Sequence, residues 1–154
     1  MTQNFTNLKV VTFGSNLDMK ITKISAITII TKNMKDSCMF YSSIPKFEIS
    51  YGGPDSDFTT FKISQASDMY LNIESYSYKQ KMDKAMNTSL WNNHHRIIFH
   101  TEDVDALYYY LRNDETVSNL GKFETKPTDA TWGERYFQMH DPNGYEIVFA
   151  TPIT

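Results

Sequence analysis

The sequence predicts an α+β fold made of two βαβββ modules whose strands form a curved mixed sheet around a cleft. Three observations lead there. Short runs rich in Ile, Phe, Tyr and Val recur at residues 25–31, 59–63, 69–74, 96–100, 135–140 and 145–150, the composition of half-buried strands. Two one-sided helical patterns, at 34–44 and 104–112, each follow a strand directly. Finally, a shift of 70 residues carries SAITIIT, from position 25, onto HRIIFHT, from position 95, and places Asn33 on Asp103 and Phe40 on Tyr110. A strand, a capped helix and further strands therefore occur twice.

Taken in order, residues 1–22 lie outside the repeat and carry Gly14 and Ser15 between strand-like runs, which suggests an extra hairpin. Module 1 spans 23–75; its helix starts after Asn33, a residue suited to cap the exposed N–H groups of a first turn. A polar join over 76–92, with a short helical pattern at 79–86, leads to module 2 at 93–154. There Asp103 is the cap, and Val104, Leu107 and Leu111 share one helix face. DPNG, residues 141–144, reads as a turn between the last two strands.

The length of 154 residues suits one domain with a single core, and 40% hydrophobic with 14% aromatic residues argue against disorder. A formal charge of -3 without a long basic run excludes the usual electrostatic footprint of nucleic-acid binding. No apolar stretch is long enough to span a bilayer, and the N-terminus has no leader pattern, so a soluble cytoplasmic protein is expected. The single cysteine, Cys38, has no partner for a disulfide or a CxxC site and reads as a small buried apolar group.

Because side chains alternate across a strand, each run has one core face. Ile27, Ile29, Leu71, Ile73, Ile97, Phe99, Phe137, Met139, Tyr145, Ile147 and Phe149 are assigned inward. The opposite faces then offer Ala26, Thr28, Ile30, Tyr70, Asn72, Glu74, Arg96, Ile98, His100, Tyr136, Gln138, Glu146 and Val148, a mixture of apolar walls and polar groups suited to a small-molecule ligand. Trp91, Trp132, Tyr51, Tyr70 and Tyr136 can supply stacking surface, and Trp132 and Arg135 stand at the entrance. Glu134 and Arg135, adjacent in an extended run, diverge instead of pairing.

ITIITKNMKDSCMFYSSI, RIIFHTEDVDALYYYL and WGERYFQMHDPNGYEIVFATP resemble, in order and spacing, segments of the vicinal oxygen chelate superfamily of glyoxalase I, extradiol dioxygenases and bleomycin-resistance proteins. The resemblance implies the glyoxalase/bleomycin-resistance/dioxygenase fold and, in the enzymes, a divalent metal held by His, Glu or Gln side chains from both modules. It places the metal-ligand positions on Ala26, Arg96, Val148 and a fourth-strand residue, Glu74. Alanine and valine offer no donor atom and a guanidinium repels a cation, so no metal and no other cofactor is expected; a separate site from His100, His140 and a carboxylate is the alternative. The resemblance also implies a homodimer.

Arg96 in a ligand position turns the cleft toward an anion or polar oxygen, unless Glu74 or Glu146 pairs with it internally. The expected function is metal-independent binding of a small anionic or aromatic ligand by Arg96, Trp132, Arg135, Tyr136, Gln138, Tyr70 and Trp91. Two alternatives stand beside it. One is a superfamily enzyme, such as a lactoylglutathione lyase-like isomerase or a dioxygenase, with Glu146, Glu74 or His100 as base and Arg96 stabilising an oxyanion. The other is a scaffold subunit with a lost site.

Overall fold

The computed structural model describes residues 21–66, 68–78 and 95–153. Tracts of isoleucine and threonine make β1 (Ala26–Thr31), and α1 (Met34–Ser42) follows at once. Asn33 caps α1: its side chain accepts from the Asp36 N–H at 3.0 Å and donates to the Asp36 carboxylate at 2.7 Å. Met34, Cys38, Phe40 and Tyr41 are buried along one side of the helix. β2 (Glu48–Tyr51), β3 (Phe58–Lys62) and β4 (Tyr70–Ser75) complete a four-stranded sheet in the order β1-β4-β3-β2, with β1 and β4 parallel.

The second module repeats the plan. β5 (Arg96–His100) leads to α2 (Val104–Asn113), capped by Asp103, whose carboxylate accepts from the Ala106 N–H at 2.9 Å. A further turn, α3 (Glu115–Leu120), is capped in the same way by Asp114. β6 (Lys122–Phe123), β7 (Thr128–Asp129), β8 (Glu134–His140) and β9 (Glu146–Pro152) then form a five-stranded sheet in the order β5-β9-β8-β6, with β7 also on β8. β5 and β9 are parallel, as β1 and β4 are, so the two modules share one topology.

One cluster of buried side chains runs through both modules, from Phe40, Tyr41 and Phe61 to Leu111, Phe137 and Phe149. Each fully buried Phe or Leu contributes about 1.5–3 kcal/mol of transfer free energy. The modules also meet through directed contacts. The Phe47 and Phe99 rings stand edge to face at 5.3 Å, and the Ile30 N–H donates to the Tyr145 phenol oxygen at 3.1 Å. The Tyr41 hydroxyl donates to the buried Asp141 carboxylate at 2.9 Å.

Several sequence expectations need correction. β2 was not anticipated: all four of its residues are exposed, so EISY carries no buried period. The short α3, β6 and β7 are too brief for a periodic signal. Ile27, assigned inward, is 37% exposed, because burial on the edge strand β1 begins only at Ile29. The α+β fold of two βαβββ modules is as expected, each module contributing one mixed sheet; among the described residues no ladder joins β1 to β5. The hairpin expected within 1–22 and the helix expected at 79–86 lie essentially outside the described residues.

Candidate functional site: an aromatic slot on the second sheet

Strand parity in the second module follows the sequence closely. Ile97, Phe137, Met139, Ile147 and Phe149 are buried under the helices. On the other face of β5, β8 and β9, the side chains of Arg96, Ile98, Tyr136, Gln138 and Val148 enclose a cavity of about 200 Å³. Trp132 and Glu134 close its remaining side.

Trp132 is 65% exposed, yet its position is fixed. Its indole N–H donates to Glu134 Oε2 at 2.8 Å, and its ring lies over Tyr136 with centroids 5.5 Å apart and planes 31° apart. Glu134 is held in turn: its Oε1 lies 2.8 Å from His100 Nε2, an ion pair when the imidazole is protonated. The tight β7–β8 turn presents this tryptophan, and Gly133 serves it at φ 91°, a left-handed conformation that side chains other than glycine adopt at a cost.

The floor of the slot is polar and partly spoken for. Arg96 directs Nε and Nη2 to a single oxygen, Glu146 Oε1, each at 2.9 Å, and Gln138 donates to the same oxygen at 2.6 Å. Of the two readings of Arg96, the internal pair with Glu146 is therefore the one present. Among the described residues, Arg96 Nη1, Gln138 Oε1 and the Tyr136 hydroxyl have no hydrogen-bond partner and stay available to a ligand.

The structure thus brings together Arg96, Trp132, Tyr136 and Gln138 of the expected ligand set. Arg135 faces the other way. Asp105 grips its guanidinium at 2.7 and 2.9 Å and Asp129 at 2.8 Å, beside a separate recess of about 270 Å³. These bonds hold the Asp105 carboxyl below its ordinary pKa and raise that of Arg135. Tyr70 and Glu74 sit on β4 of the first sheet and border none of these cavities, and Trp91 lies outside the described residues. Of the candidate bases, Glu146 pairs in register with Arg96 and His100 with Ala150, about 13 Å apart at ~3.3 Å per residue, so they do not form one catalytic pair. His140 stands opposite Glu146 on β8, one strand further from His100. Glu134, Ile98 and Val148 complete the slot. Glu134 shares the parity of Tyr136 and Gln138, a signal the sequence contained.

The strand register also moves one metal-ligand position. Arg96 pairs with Glu146, and Val148 lies two residues further along β9. In the first module Ala26 pairs with Tyr70, so the residue equivalent to Val148 is Asn72, not Glu74. Asn72 spends its amide on Thr60 and Thr28. The positions read Ala26, Asn72, Arg96 and Val148, a set with no carboxylate, imidazole or thiolate, which does not fit a divalent cation. Among the described residues no group of three His, Cys, Asp or Glu side chains could hold one.

The sequence profile of the Glyoxalase/Bleomycin resistance protein/Dioxygenase superfamily matches residues 23–149. No curated protein sequence matches the chain. Among solved structures, a glyoxalase-related enzyme from Fulvimarina pelagi superposes with a TM-score of 0.68 at 14% identity, covering 85% of this chain and 88% of its own. A glyoxalase/bleomycin resistance protein/dioxygenase from Nocardioides gives 0.67 at 15% identity, with 89% and 87% covered. TnmS3, described as an antibiotic binding protein from Streptomyces sp. CB03234, gives 0.63 at 18% identity, with 87% and 98% covered. At these identities the likeness shows a common fold.

Proposed function

The chain belongs to the Glyoxalase/Bleomycin resistance protein/Dioxygenase superfamily, and from that premise we propose that it is a metal-independent binder of a small planar aromatic molecule. The observation that carries this reading is Trp132: a solvent-facing indole fixed by Glu134 and packed at a tilt against Tyr136 at the mouth of a cavity. An exposed ring that only shielded the core would need neither the fixed orientation nor the open face. A bound ring would stack on it, and Arg96 Nη1, Gln138 Oε1 and the Tyr136 hydroxyl would orient the ligand's polar groups.

Charge decides between the aromatic and anionic forms of ligand. Glu146 occupies one edge of the Arg96 guanidinium, and Glu134 adds a second carboxylate to the wall. An anion would face two carboxylates for one cation, so a neutral ring with a hydroxyl or carbonyl group fits better. That one protein of this fold is described as an antibiotic binding protein supports small-molecule binding as a role the fold accommodates.

Calorimetric titration with 2-naphthol and 2-naphthoate tests the reading. Binding of 2-naphthol is expected to exceed that of the carboxylate and to weaken about tenfold in Trp132→Ala, the equivalent of ~1.4 kcal/mol of stacking and contact area. Failure of both probes to bind, or an unaltered affinity in the variant, contradicts it.

A further inference from the structure

A second, larger cavity lies where the two modules meet. It measures about 700 Å³. Phe47 and Ile63 and Met69 of the first module and Phe99, Leu107 and Phe149 of the second give it apolar walls. Its charged lining residues, Lys46 and Glu102, are both exposed. The cavity wraps the end of β5, because it touches both Phe99 on the core face and Ile98 on the slot face.

Ile98 borders both cavities and is 54% exposed, an apolar side chain standing between the slot and the larger, mainly apolar space. His100 gives a second connection: it lines the large cavity, and its ring meets Glu134, which lines the slot. Size argues in the same direction. Small-molecule sites usually occupy roughly 300–1,000 Å³; the slot, at about 200 Å³, holds a ring but little more, whereas the two spaces together reach that range.

We propose that the ligand has two parts: a planar aromatic head in the slot, and an uncharged apolar arm that crosses Ile98 into the cavity between the modules. This rests on the reading of the slot as a binding site. The arm's chemistry follows from the walls, which are mainly aliphatic and aromatic carbon, with Ser64, Gln65, His100 and Thr101 as further polar lining and no buried charge, so an alkyl or isoprenoid chain is favoured over a charged one.

Calorimetry with 2-naphthol and with naphthols carrying ethyl, butyl and hexyl arms at the ring edge furthest from the hydroxyl tests the proposal. Each added methylene is expected to tighten binding about two- to fourfold until the cavity is filled. Ala66→Trp places a bulky ring on an exposed lining position; it should abolish the gain with arm length and leave the affinity for 2-naphthol itself unchanged. Met69→Ala removes part of the wall, should lower the gain per methylene, and serves if the first variant does not fold. Affinities that stay flat with arm length in the unmodified protein overturn the proposal. So does a gain that persists undiminished in the folded variants, since the arm then lies elsewhere. Failure of 2-naphthol to bind at all overturns instead the reading of the slot.

Discussion

Removing one hydroxyl, in Tyr41→Phe, tests the buried bond that ties the modules together. Tyr41 is fully buried and Asp141 is 4% exposed, so water cannot replace the lost donor. Asp141 Oδ2 would keep only the Asn143 side-chain amide at 3.4 Å, while Oδ1 keeps the N–H groups of Asn143 and Tyr145 at 2.9 and 2.8 Å. The phenylalanine ring retains the edge contact with Phe40, so the cost is that of the hydrogen bond to a carboxylate, about 1.5–3 kcal/mol. For a chain of this size that corresponds to a fall in Tm of roughly 4–10 °C. Burial raises the Asp141 pKa above 3.8, and the Tyr41 bond opposes the rise by favouring the charged form. A raised folded pKa gives stability that is complete below the unfolded value and lost as pH climbs through the folded one. Deleting the hydroxyl raises that folded pKa further. The deficit of the variant is therefore smallest near pH 4 and largest at neutral pH. Scanning calorimetry of both proteins across that range measures it. A Tm within about 1 °C of the parent, or a deficit that is the same at both ends, would refute the reasoning.

Two other predictions concern the slot and its lost ligands. Glu134→Gln keeps an acceptor for the Trp132 indole, whereas Glu134→Ala releases the ring; the first should hold 2-naphthol affinity within a few-fold of the parent and the second should lose much of it, as read by calorimetry. Metal analysis of protein purified from medium supplied with zinc, nickel, manganese and iron should find well under one equivalent of any, because Ala26, Asn72, Arg96 and Val148 supply no ligating set; a stoichiometric metal would contradict that.

What the sequence made legible was local. Caps at Asn33 and Asp103 and the alternation Arg96, Ile98, His100 against Ile97 and Phe99 needed only neighbours in the chain. The same alternation, carried through β8, puts Glu134 in the slot and turns Arg135 to the helices, so that division was readable and Arg135 was placed at the entrance against it. Other features depend on distant residues. DPNG does form a turn, with the Gly144 N–H donating to the Asp141 carbonyl at 3.0 Å and Gly144 at φ 88°. Yet Asp141 is also the buried acceptor of a tyrosine 100 residues away, which no local pattern reveals. Register between β1 and β4 was equally hidden, and it is register that separates Asn72 from Glu74.

The central claim, that Trp132 is the platform of a binding site, is tested most directly by observing that indole. The chain has two tryptophans, so the amide-region NMR spectrum contains two indole N–H resonances, and Trp132→Phe assigns one of them. During titration with 2-naphthol the Trp132 resonance should move progressively to saturation, and Tyr136→Ala should weaken that titration. A Trp132 resonance that stays fixed while 2-naphthol is added to the limit of its solubility would contradict the account.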